Sequence, residues 1–267
     1  MQTQAGTDKQ LYGIFHPART LSKALRAAHR PADVTNAGEM REVFAWAKPD
    51  VVVHAAAIGS VDFAEKHQAQ THAVNVGGTT IVAACCKDFG ARLIYISSNA
   101  VFDGTRPLYS ETDPVSPINY YGQLKVEAER ITATCGVPCA IVRPILLYGW
   151  PYPDERGNLV TTWVKALREH QPQSVVDNVY SKPLPARACA DAVWAIVNRN
   201  CSGNSLSSKT FEPLTWSVRF RKCHLKAGRR WRGYTPSVPC LRDQNRMIFC
   251  LPMDIILSSF TSLNCHI

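Results

Sequence analysis

Short apolar runs alternate with amphipathic segments along the first 200 residues of the chain. LYGIF (residues 11–15), the β-branched VVVHA (51–55), RLIYIS (92–97) and CAIVRPILL (139–147) read as strands. Pro144 limits how far the last of these can pair inside a sheet. Helical spacing covers residues 39–47, residues 69–89 with Gly90 as a natural stop, a segment from Asn119 onward, and residues 159–170 and 188–199. Residues 20–29 read as a loop or a short helix. Continuous apolar strands separated by helices of this length predict a parallel sheet covered on both faces, a doubly wound α/β layer. Ligands of such sheets bind outside the carboxyl ends of the strands. That rule alone brings His54-Ala55-Ala56-Ala57 and Ser97-Ser98 near one another.

Composition narrows the setting. At 267 residues the chain is long enough to bury a sizeable core, and its apolar fraction of 46% is ordinary for a globular protein. No run reaches the ~18 apolar residues of a membrane span, since Pro252 and Asp254 interrupt the stretch from Met247 to Phe260. No arginine-flanked apolar opening signals secretion. The ten cysteines form no CxxC and no paired metal-ligand spacing. The expectation is a cytoplasmic protein with reduced thiols and no metal site. The net charge of +9 resides mostly in residues 201–267, where ten Lys/Arg face three Asp/Glu, so residues 1–200 carry only +2. A nucleic-acid partner is therefore not expected of the body.

The candidate chemistry starts from Tyr121 and Lys125, which share one face of the helix beginning near Asn119. A free tyrosine, with a pKa of roughly 10, transfers its proton sluggishly at pH 7, and a neighbouring ammonium favours the phenolate. A Tyr/Lys pair is common on solvated helices, so the context decides. Ser98 ends a strand 23 residues before Tyr121. Together they form a carbonyl-reducing arrangement: the serine hydroxyl bonds the carbonyl, the phenol protonates its oxygen, and Lys125 tunes the phenol and holds a cofactor ribose. The small side chains of Ala55, Ala56 and Ala57 would let a flat cofactor approach the backbone, although such a run is more often just tight helix–sheet packing.

Five ordered motifs, PDVVVHAAA, AVNVGGT, LIYISSNAVFDGT, YYGQLKVEAE and VRPILLYG, resemble the extended short-chain dehydrogenases/reductases. Within them the chain is similar to the dTDP-4-dehydrorhamnose reductase-like group, which includes the regulatory beta subunit of methionine adenosyltransferase. The resemblance covers roughly residues 11–199. It implies a Rossmann-like sheet and Ser98, Tyr121 and Lys125 as the catalytic set. Asp33 and Val34 would lie near the adenine, Ala55, Ala56, Ala57 and Ile58 would line the cofactor, and Asn75 would be a structural or relay residue. Tyr120 is one position out of step with Lys125. The implied cofactor is NADP or NAD; His16 and Arg19, after the presumed second strand, tilt the choice to NADP. The implied partners are a nucleotide-sugar substrate and either further copies of the chain or a partner enzyme.

Three departures qualify this resemblance. The family opens with a strand and a GxxGxxG turn whose backbone N–H groups meet the pyrophosphate; this sequence lacks that turn and is expected to begin at the second strand. Asn99-Ala100 stands where the group shows Asp-Tyr. Beyond residue 200 the resemblance ends. The expected organisation is an NAD(P)-binding domain over residues 1–200, followed by a basic, cysteine-rich tail over 201–267 with no recognisable fold. The tail holds five of the ten cysteines, and seven basic residues fall within RFRKCHLKAGRRWR. Three readings follow: a reductase of a nucleotide-linked 4-keto sugar, a non-catalytic regulatory subunit, and an inactive fragment.

Overall fold

The computed structural model describes residues 9–18, 29–149, 158–172, 181–198, 211–214 and 246–250. In chain order the elements begin with β1 (Gln10–Phe15), β2 (His29–Pro31), α1 (Ala37–Ala47) and β3 (Val51–His54). Two short helices, α2 (Val61–Lys66) and α3 (Gln68–His72), lead through a π turn (Ala73–Gly77) into α4 (Gly78–Phe89). Then come β4 (Arg92–Ile96), a 3₁₀ turn (Asn99–Val101), α5 (Tyr120–Ala133), β5 (Cys139–Val142) and β6 (Leu147–Tyr148). The last described elements are α6 (Leu159–Arg168), β7 (Leu184–Pro185), α7 (Ala186–Asn198), β8 (Phe211–Leu214) and β9 (Arg246–Cys250).

Seven strands form one sheet in the order β2-β1-β9-β3-β4-β5-β8, each neighbour pair parallel. Side chains alternate across a strand, so β3 serves both faces. Val52 packs with Leu93, Met40, Phe44 and Val82 against α1 and α4. Val51 and Val53 turn to the other face with Ile94, Val193 and Ile196, where α7 lies. This is the doubly wound layer that the uninterrupted apolar strands predict.

Local chemistry sets the boundaries. Asn36 caps α1 by accepting from the N–H groups of Gly38 and Glu39, at 3.0 and 3.2 Å. α4 stops at Gly90, whose φ of +71° is a left-handed conformation that favours glycine. Pro144 divides the expected strand 139–147: β5 ends at Val142, and Leu147–Tyr148 pairs separately with β7. The expected helix over 69–89 is interrupted by the π turn, which points Asn75 into the protein at 1% exposure. α2 is an element the periodicity does not reveal. Among the described residues no helix is long and apolar enough to cross a membrane.

Two short segments beyond residue 200 take places in the sheet. β9, from the tail, lies between β1 and β3 and fills the central position. Both of its ends are fastened: Arg246 N–H donates to the Asp50 carboxylate at 2.9 Å, and Cys250 O accepts from Ala55 N–H at 2.9 Å. β8 adds to the edge beside β5. Apolar residues such as Met247 and Cys250, both fully buried, are the physical reason this segment joins the core.

Candidate active site

α5 begins where Asn119 turns extended and accepts from Gly122 N–H at 2.8 Å, while Glu65 of α2 accepts from Tyr120 N–H at 2.8 Å. Gly122 has a second reason to be glycine. A Cβ there would lie 2.2 Å from the carbonyl oxygen of Ala100, so only glycine lets the turn after β4 press against the helix. That approach sets Ser98 beside Tyr121. The Ser98 oxygen accepts from Ala100 N–H at 3.2 Å.

One turn into the helix, Lys125 is buried at 2% exposure. Its ammonium donates to Ile96 O at 2.9 Å and stands 4.9 Å from the Tyr95 ring centre and 5.8 Å from that of Tyr121. Burial lowers its pKa to about 8, opposed by the Glu129 carboxylate. Burial raises the Tyr121 phenol, and Ser98 works against that rise. The ammonium is engaged with a strand carbonyl. The structure thus brings Ser98, Tyr121 and Lys125 together, while Tyr120 opens the helix through its backbone.

The second group of expected residues surrounds a cleft at the carboxyl ends of β1 and β3. Asp33, Val34, Ala56 and Ala57 line it together with Ile14 and His16. Asp33 accepts from Thr35 N–H and its hydroxyl at 2.9 and 2.8 Å, and its other oxygen lies 3.7 Å from His16 Nε2. Ala55 and Ile58 sit beside the cleft, and their backbones are fixed. Ile58 is held by Asn75, which accepts from its N–H at 2.8 Å and donates to its carbonyl at 3.1 Å. Asn75 is therefore a clamp on the loop after β3. Arg19 lies outside the described residues.

The sequence reading gave three supporting groups no role. Glu129, one turn beyond Lys125, receives Arg143 Nε at 2.8 Å and Arg143 Nη2 at 2.7 Å, with both side chains 8% exposed. Ser97 donates to the same carboxylate at 2.5 Å. This buried cluster ties β4, α5 and β5 together directly behind Ser98. The spacing Lys125–Glu129 was a readable signal, yet i,i+4 acid–base pairs on helices are usually solvated. The third group is His54, fully buried with Nε2 3.0 Å from the Thr79 hydroxyl. Burial, then the Lys125 charge, lowers its pKa to about 3, so it is a neutral core histidine.

Comparison with known proteins agrees with this geometry. The family model described as RmlD substrate binding domain matches residues 7–212. A dTDP-4-dehydrorhamnose reductase of Burkholderia thailandensis is 32% identical over 172 residues, 64% of this chain and 56% of that protein. The methionine adenosyltransferase 2 subunit beta of Rattus norvegicus is 40% identical over 102 residues, 38% of this chain and 30% of that protein. The chain spans about half the length of the reductases it matches. Among solved structures, the dTDP-4-dehydrorhamnose reductase of Bacillus anthracis in complex with NADP superposes with a TM-score of 0.63 at 28% identity, covering 73% of each chain. With the parallel sheet, the Ser98–Tyr121–Lys125 cluster and the matched residues in agreement, this chain belongs to the RmlD substrate binding domain family.

Proposed function

We propose that the chain acts as a nicotinamide-dependent reductase domain of the dTDP-4-dehydrorhamnose reductase kind, with a nucleotide-linked 4-keto sugar as substrate. The observation that carries this reading is the buried Lys125, its ammonium 5.8 Å from the Tyr121 ring centre, with Ser98 on the adjoining turn after β4. In this reading the cleft of β1 and β3 receives the adenosine end of a dinucleotide. The methyl side chains of Ala56 and Ala57 let a flat ring reach the backbone, and Asp33 offers an acceptor at the rim. Asp33, Val34, Ala56 and Ala57 would hold the adenosine end, and Lys125 the ribose nearer Tyr121. When bound, the cofactor supplies the hydride for the carbonyl carbon. The chain's own contribution is to hold the carbonyl oxygen between Ser98 and Tyr121 and to deliver the phenolic proton to it. His16 already faces the Asp33 carboxylate, so the choice between NADP and NAD turns on that pair; titrating both reduced cofactors side by side decides it.

The test is Tyr121→Phe, which keeps the ring and removes the proton. With dTDP-4-dehydrorhamnose and NADPH, kcat is expected to fall by roughly 10²–10⁴-fold, with cofactor binding nearly unchanged. A fall smaller than about tenfold removes the phenol from the role of proton donor. A second reading, a non-catalytic subunit that binds a partner enzyme, draws on the 40% match to the adenosyltransferase subunit and on Asn99-Ala100. It predicts no turnover by the unaltered chain and partner binding that survives Tyr121→Phe.

A further inference from the structure

His54 is the last residue of β3, and the loop that lines the cleft follows it. It is fully buried, on a strand whose other side chains are all valine. Its Nε2 lies 3.0 Å from the Thr79 hydroxyl, and that hydroxyl donates to the Asn75 carbonyl oxygen at 2.6 Å. A threonine hydroxyl has one proton to give. With that proton on the Asn75 carbonyl, Thr79 can only accept from the imidazole. His54 therefore carries its proton on Nε2. Nδ1, the bare nitrogen, meets no hydrogen-bond partner among the described residues. A buried orphan acceptor costs stability, and a fourth valine would avoid that cost. What only the imidazole supplies is the bond to Thr79.

Two parts of the cleft wall stand behind that bond. Asn75 belongs to the π turn Ala73–Gly77, a rare widening of a helix that recurs at functional sites. Val74 of the same turn lines the cleft with Ala56 and Ala57. The Asn75 side chain in turn grips Ile58 by its N–H at 2.8 Å and its carbonyl at 3.1 Å. A hydroxyl that accepts a hydrogen bond donates a stronger one, so the His54 proton tightens the hold of Thr79 on the turn. The His54 ring also lies 5.7 Å from the Tyr95 ring, and the Tyr95 ring lies 4.9 Å from the Lys125 ammonium. Burial, and then the Lys125 charge, oppose a second proton on the imidazole, so its donor and acceptor ends keep their roles.

We propose that His54 is a positioning residue for the cofactor: its Nε2 proton, through Thr79 and the Asn75 carbonyl, holds the π turn and residues 55–58 in the shape that receives a nicotinamide dinucleotide. The inference rests on the cofactor reading of this cleft.

The first measurement needs only the unaltered chain. Nitrogen NMR of the His54 ring, assigned by its loss in His54→Gln, should show a protonated Nε2 and a bare Nδ1. The opposite tautomer overturns the proposal. The second measurement is hydrogen exchange at the Ile58 amide. In His54→Leu, and independently in Thr79→Val, that amide should exchange about tenfold faster, the effect of one lost hydrogen bond, while Val52 and Val53 of β3 keep their protection. The dissociation constant for NADPH should rise by about the same factor. His54→Gln places an amide donor where Nε2 stood and should restore both readouts. Unchanged exchange at Ile58 overturns the proposal, and so does a rise shared by all of β3 that His54→Gln leaves in place, since that marks packing alone. If Ile58 responds as expected but the unaltered chain binds neither NADPH nor NADH, the cofactor reading fails and the hold of His54 on the loop stands.

Discussion

Around β4 and α5 the groups of the candidate site come from one stretch of chain, residues 97–143, and meet through the turn at Asn99–Val101 and the helix that follows. Around β1 and β3 the cleft has two walls that do not pair with each other; β9 stands between them. Arg246, which opens β9, bonds Asp50 across 196 residues of sequence. The first region is assembled by local contacts and the second by one distant strand. A site of the first kind keeps its geometry when remote parts of the chain change. A cleft of the second kind depends on the remotest of them.

The largest expected effect breaks the second region. Met247 is fully buried in β9 and packs with Val51, Val53 and Ile94. Met247→Asp forfeits the ~2–5 kcal/mol that burying a methionine contributes and adds an unpaired buried charge. Urea unfolding of the full chain should show the loss of the folded baseline or a stability drop at the top of that range. Unchanged stability would remove β9 from the sheet. Next in size is Arg143→Ala, which strikes the first region. It leaves Glu129 buried with only Ser97 as its donor, and breaking such a pair costs about 3–5 kcal/mol. The same unfolding experiment measures it. Arg143→Ala should also lower turnover with any substrate, because the helix loses its tie to the end of β5 close behind Ser98.

The same contrast explains what the sequence made legible. Strands such as Val51–His54 and Arg92–Ile96 carry their burial in their composition, and Gly90 marks a helix end by its conformational freedom. Ser98, Tyr121 and Lys125 could be placed together because helix spacing and the strand-end rule are local. β9 could not be placed. RMIFC is five residues in a basic, proline-broken tail, and nothing in its pattern names β1 and β3 as neighbours. The burial of Glu129 was hidden for a related reason. Its partners Ser97 and Arg143 belong to other elements, and only the packing of β4, α5 and β5 shows that the carboxylate faces inward.

A smaller effect sharpens the comparison through pH. An unfolded lysine keeps its proton up to about pH 10.5, whereas folded Lys125 releases it near 8. Between those values the unfolded chain holds the extra proton, so stability rises with pH. Below pH 8 both states are charged and the burial penalty is complete. The contribution across the window is at most about 3 kcal/mol, at 1.36 kcal/mol per pKa unit. Lys125→Met has no such group, so its stability advantage over the unaltered chain should shrink as pH goes from 7.5 to 10. Other groups that titrate in this range do so in both proteins and cancel. A difference that stays flat with pH would put the ammonium in water.

The smallest effect concerns the start of α5, where the first region depends on something outside its own stretch. Glu65 of α2 accepts from Tyr120 N–H at 2.8 Å, one residue before the phenol of the site. The first N–H groups of a helix have no partner inside it, and the positive end of the helix dipole lies there. A carboxylate in that position answers both needs. Glu65→Ala removes the acceptor and the charge and is expected to cost about 0.5–1 kcal/mol, since the donor is exposed enough to turn to water. Asn119 still caps Gly122 in the variant, so the helix keeps its start. The informative readout is therefore turnover rather than unfolding. If the local stretch alone sets the geometry of Tyr121, kcat should change by less than about threefold, in keeping with so small an energy. A fall as deep as that of Tyr121→Phe would mean that α2 holds the phenol in place, and the candidate site would then extend to residues 61–66.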